Sequence, residues 1–140
     1  MTTKHNLAFY HLIYDKLDKL GYFSANRSYN AMQKVIEQIQ ANLQIIYRKA
    51  VDADALLASY QQQGKGQYVA IFAEDAPFTT RAKTFEPYVA ETCELLDELS
   101  AMQEGYSDKE ALTKKLQTIV KQIESLMTTL HSFKQSLKAD

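Results

Sequence analysis

Between Tyr29 and Tyr60 apolar residues return at alternating spacings of three and four: Tyr29, Met32, Ile36, Ile39, Leu43, Ile46, Ala50, Ala53, Leu57 and Tyr60. No charge falls on this seam. Such a repeat marks one stripe of a long helix that is buried against other helices. Val35 and Leu56 flank the stripe and are expected to widen it. Ser24 and Asn26 are both capping types, so the helix should begin near them. Continued to Gln63, it would span about 55 Å. Its weakest stretch is Ala50 to Asp54, where the seam residues are small and Asp is a poor helix-interior residue. One reading is a close approach of a neighbouring helix at Ala50 and Ala53. The other is a break, with Asp52 capping a new helix. The unbroken seam favours continuity as far as Gly64-Lys65-Gly66.

A second seam runs Leu112, Leu116, Ile119, Ile123, Leu126, Leu130, Phe133 and Leu137. Ser107-Asp108-Lys109-Glu110 precedes it and reads as a capping box, with the Ser hydroxyl and the Glu carboxylate each serving a backbone N–H. The two long helices are expected to lie side by side. Two shorter helices complete the pattern. The first, Lys4 to Leu20, has a wide apolar face and is followed by Gly21. The other, Phe85 to Gln103, has Pro87 in its first turn and Gly105 after its end. Its buried face is read as Tyr88, Val89, Cys93, Leu95, Leu96, Leu99 and Met102.

Residues 67–83 fit this scheme least well. Gln67 to Ala73 has strand-like composition, but a lone strand would have no partner among helices, so a short buried helix is preferred. Pro77, Thr79 and Thr80 then form a connection, and the whole segment is expected to be irregular or helical. The fold predicted is all-α: an up-down four-helix bundle, one domain over residues 1–140. The two shorter helices leave part of the long seam uncovered, which a second copy of the chain would meet as an isologous homodimer.

Composition narrows the functional classes. The hydrophobic share of 46% and charged share of 24% are those of a globular chain. A net charge of −1 gives no overall field for nucleic acid or anionic lipid. No apolar run is long enough to span a membrane. The single cysteine, Cys93, forms no intrachain disulfide and suits a cytoplasmic setting. Charge is unevenly placed: residues 67–106 hold two Lys/Arg and eight Asp/Glu, whereas 107–140 hold six and four. Either the basic and acidic parts pack beside one another, or the middle offers an acidic face to a basic partner.

Catalytic chemistry finds no foothold in this pattern. None of His5, His11 and His131 has a Glu three residues before it, so the di-iron bundle motif is missing. No Cys/His spacing suits zinc, and Gly64-Lys65-Gly66 follows a helix and lacks the phosphate-loop spacing. Cys93 is read as a small buried hydrophobe. No metal, cofactor or catalytic residue is therefore expected.

Nine tyrosines with no tryptophan are the most unusual feature of the composition. Tyrosine fills wide core layers and is also favoured at interfaces. The expected function is a non-enzymatic interaction module that binds another protein. Its candidate surfaces are the aromatic loop Tyr68, Phe72, Phe78 and the acidic face Glu91, Glu94, Glu98. The alternative is a nucleic-acid-associated accessory using Lys114, Lys115 and Lys121 on the last helix.

Overall fold

The computed structural model describes residues 25–64, 70–104 and 108–139, with side chains described over 31–64, 70–103 and 108–136. Three helices account for most of them, and no strand is present among the described residues. Helix α1 is Ala25–Gln62, α2 is Glu86–Glu104 and α3 is Lys109–Ala139. The helix expected over Lys4 to Leu20 lies outside the described residues, as do Tyr68, Gly105 and Ser107.

Both seams are buried. From Met32 to Leu57 every seam residue of α1 belongs to the core, as do Leu116 to Leu130 of α3. Tyr60, Leu112 and Phe133 at the seam ends are partly covered. All three helix pairs pack together, and α2 lies against both long helices. Antiparallel packing of α2 and α3 follows from three levels of contact: Phe85 with Phe133, Thr92 with Gln122, and Glu98 with Lys115. The seam helices do touch, and the shorter helix completes the core between them.

α1 is continuous through Asp52 and Asp54. Ala50 and Ala53 are buried there, and Asp52 points outward. A nearby aspartate does cap a helix, but it is Asp54, and the helix is α2. Asp54 Oδ1 accepts from Phe85 N at 2.7 Å and Oδ2 from Glu86 N at 3.0 Å. The reason lies at the start of α2. Phe85 occupies the cap position, since its carbonyl accepts from Val89 N at 3.2 Å, but its side chain is apolar and buried. With no polar side chain of its own at that position, α2 draws its cap from α1. Asp54→Ala should cost about 2 kcal/mol, read from urea unfolding midpoints; a loss below about 0.5 kcal/mol would deny the cap its role.

The expected α3 capping box rests on Ser107, which lies outside the described residues. Asp108 contributes at this end, with Oδ1 accepting from Glu110 N at 3.1 Å. The Asp108 carbonyl takes Leu112 N at 3.1 Å, which places Asp108 at the cap. At the other end of α1, Gly64 adopts φ +76°, the left-handed turn that closes a helix without a Cβ clash.

Two core assignments change. Leu56 is 44% exposed and does not widen the seam. Cys93 is exposed, and Thr92 takes the buried position instead. The buried line of α2 is Phe85, Tyr88, Val89, Thr92, Leu96 and Leu99, so Cys93 stands about 100° from its centre.

Residues 70–85 form neither helix nor strand. The preferred short helix is absent from the described part of this segment. Ile71, Phe72, Phe78 and Ala82 pack against the core instead. Ile71 N bonds Ala82 O at 2.9 Å and closes the segment into a loop. An irregular backbone is tolerated here because side chains of α2 satisfy its polar groups.

Candidate functional site

Tyr88 sets the loop from below. It is fully buried, and its hydroxyl accepts from Ala82 N at 2.9 Å and donates to Ala82 O at 3.1 Å. Phe72 and Phe78 close over it, with ring centroids 4.8 and 5.1 Å from the Tyr88 ring and 4.7 Å from each other. The edge-to-face angles of 67° and 76° to Tyr88 are the favoured aromatic geometry. Phe72 and Phe78 are therefore turned onto the core edge and are only partly open to solvent.

Above the aromatic cluster, Glu91 ties the loop to the helices. Its Oε1 accepts from Thr80 N at 2.7 Å, Thr79 N at 3.1 Å and Thr79 Oγ1 at 3.0 Å. Its Oε2 accepts from Gln122 Nε2 at 2.8 Å. Gln122 is buried on α3 and spends its second amide proton on Pro77 O at 2.8 Å. Its Oε1 takes the hydroxyl of buried Thr92 at 2.7 Å. Every polar atom of that amide is thus matched, and no described buried side-chain N or O lacks a partner. Burial alone would raise the Glu91 pKa. Hydrogen bonds from the side chains and backbone amides of Thr80 and Thr79 outweigh it and hold the carboxyl below its ordinary value.

Glu91, grouped by sequence with Glu94 and Glu98, thus serves the fold. Glu94 and Glu98 do share an exposed face, joined by Glu86 and Asp97. α2 carries six acidic residues and no Lys or Arg. One cation reaches this face from α3: Lys115 Nζ donates to Glu98 Oε2. The basic and acidic parts of the chain therefore do attract one another at this point. Of the lysines considered for nucleic acid, Lys115 is engaged with Glu98, Lys114 lies 3.6 Å from Glu110 as an exposed i,i+4 pair, and Lys121 is exposed.

Cys93 sits at the margin of the same face. Although the residue is exposed, partial burial of the thiol raises its pKa, and the neighbouring Asp97 charge raises it further. A thiol raised in this way is a weak nucleophile at neutral pH. Among the described residues no group of three or more His, Cys, Asp or Glu is placed to hold a metal ion. No described helix is long and apolar enough to cross a membrane.

Comparison with family models, curated proteins and solved structures returns no match. Function must therefore be argued from the surface chemistry of this chain. One residue that holds α2 in place behind that surface escaped the sequence pattern. Gln122 stands just off the α3 seam, one place before Ile123, and nothing in its neighbours marks it. Asp97 was visible beside the glutamates, and its exposure makes it a full member of the face.

Proposed function

We propose that the chain is a non-enzymatic protein-binding module of the cytoplasm, built on a helical bundle that the Lys4–Leu20 helix completes as the fourth member. The observation that carries this reading is the outward side of α2, where Glu86, Glu94, Asp97 and Glu98 are exposed and no base interrupts them on the same helix. Such a face favours a partner with a basic surface by charge complementarity, which speeds encounter and selects orientation. The partly buried Glu91–Gln122–Thr92 junction supports it indirectly, by tying α2 to α3 and the loop. Self-association into an isologous pair draws less support, because the α1 seam that a second copy was expected to cover is already buried from Met32 to Leu57. Nucleic-acid binding draws less support, because Lys114 and Lys115 already face carboxylates.

The double substitution Glu94→Lys/Asp97→Lys tests the reading in a pull-down against the wild type. Partners retained by the wild type should be lost at least tenfold in the variant, and their retention should weaken as salt rises. Lys121→Glu should leave the pattern unchanged. Identical retention by wild type and the double variant would remove the acidic face as the docking surface.

A further inference from the structure

Both long helices are covered on two flanks, and α2 accounts for one of them. Around α3, Gln122 turns to α2 and the loop. Val120 stands about 160° from it at 100° per residue, yet the two are equally buried, at 1% exposure each. Around α1, Asp54 turns to the start of α2. Ala31 stands about 140° from Asp54 with Val35 between them, and both are buried. No described helix occupies this second flank, since α2 lies on the first.

The cover on the second flank stops part-way along α1. Ala31 is buried, Gln38 and Asn42 are half-buried, and Ile45, Lys49 and Leu56 are exposed. These six lie within about 60° of one another around the helix, so the change is one of height and not of direction. The cover ends near Asn42, about 26 Å from the start of α1 at Ala25. The burial is that of a single chain, so a second copy supplies none of it. The loop over residues 70–85 is taken up on the first flank, against Tyr88, Glu91 and Gln122. Residues 65–69 leave from the far end of α1, and 105–107 join α2 to α3 about 16 Å below Val120. Residues 1–24 lead directly into the covered end of α1.

We propose that Lys4–Leu20 docks as a helix on this second flank, antiparallel to α1, in the groove between α1 and α3 opposite α2. Its length as a helix is about 26 Å, which matches the covered part of α1. Gly21 to Ser24 give enough chain to turn back along α1. Tyr10, Ile13, Leu17 and Leu20 recur at three-four spacing and supply the apolar edge that meets Ala31, Val35 and Val120. This rests on the fourth helix of the proposed function and gives it a place. It also leaves the acidic row of α2, on the other flank, open to a basic partner.

Pulsed electron paramagnetic resonance on the full chain tests it, with pairs of nitroxide labels in a Cys93→Ser background. Asp15 falls opposite the apolar edge of its segment, and Glu110 on α3 and Ala101 on α2 are exposed at neighbouring heights. With neighbouring axes about 10 Å apart, the Asp15→Cys/Glu110→Cys pair should give a narrow distribution near roughly 25 Å. The Asp15→Cys/Ala101→Cys pair, across the diagonal of the bundle, should lie roughly 10 Å farther apart. Circular dichroism confirms that each labelled chain is folded. A broad distribution for both pairs would overturn the proposal by showing that the segment does not dock. A shorter separation to Ala101 than to Glu110 would overturn it by placing the helix on the α2 flank. Neither distance depends on a basic partner, so loss of the acidic-face reading in the pull-down would leave this result standing.

Discussion

Tyr88→Ala is expected to cost about 4 kcal/mol of folding free energy, the largest loss from any single side chain among the described residues. Three effects combine at that position. The ring is fully buried, so its removal loses transfer free energy and leaves a cavity among packed groups. Phe72 and Phe78 lose the edge-to-face partner that seats them. The Ala82 amide and carbonyl both lose the phenolic hydroxyl. Set against a domain stability of about 5–15 kcal/mol, the variant would sit close to unfolding. Tyr88→Phe keeps the ring and should cost only about 1 kcal/mol. Urea denaturation of both variants separates the ring from the hydroxyl. A Tyr88→Ala loss under about 1.5 kcal/mol would show that the aromatic cluster does not anchor the loop to the core.

That anchoring was only half legible in the chain. Met32 to Leu57 and Leu116 to Leu130 announce their burial through a period that survives about four turns or more, because a helix repeats its orientation every seven residues. Residues off the centre of a stripe are another matter. Leu56 and Cys93 read as buried, yet a position about 100° from the stripe centre is decided by where the neighbouring helix ends and how close it comes. Periodicity holds neither piece of information. Phe72 and Phe78 illustrate a different ambiguity, since the residue types favoured at interfaces are those that also seal core edges.

Long-range polar pairing was the least visible part. Asp54 caps a helix that begins 32 residues later, and Glu91 meets Gln122 31 residues later. Each residue is ordinary in its local window, and the two aspartates at 52 and 54 read only as a weak stretch of α1, with a break at Asp52 as the less favoured alternative. The reason is physical: the apolar cap position at Phe85 needed a carboxylate from elsewhere, and α1 places one there without interrupting its own helix. The exposed acidic row of α2, by contrast, was legible at once, because helical spacing alone puts Glu94 and Glu98 on one face.

Glu91→Ala should destabilise the fold by about 3 kcal/mol at neutral pH, and the penalty should shrink in acid. The carboxylate serves four donors: the Thr79 and Thr80 amides, the Thr79 hydroxyl and the Gln122 amide. Truncation removes those charge-assisted bonds and strands part of the buried Gln122 amide. Because the folded state holds the Glu91 pKa below its ordinary 4.5, the unfolded chain takes up the proton first as pH falls. The stabilisation is therefore complete above that ordinary value and is lost as pH drops through the lower folded one. Wild type and variant should converge in stability across that acid window and differ fully above it. Hydrogen exchange gives the local readout: at pH 7 the Thr79 and Thr80 amides should exchange at least tenfold faster in the variant, while amides in the middle of α1 slow or quicken only with global stability. Unchanged protection of those two amides would mean that Phe72 and Phe78 hold the loop alone, and the carboxylate would then be free to join the acidic row facing outward.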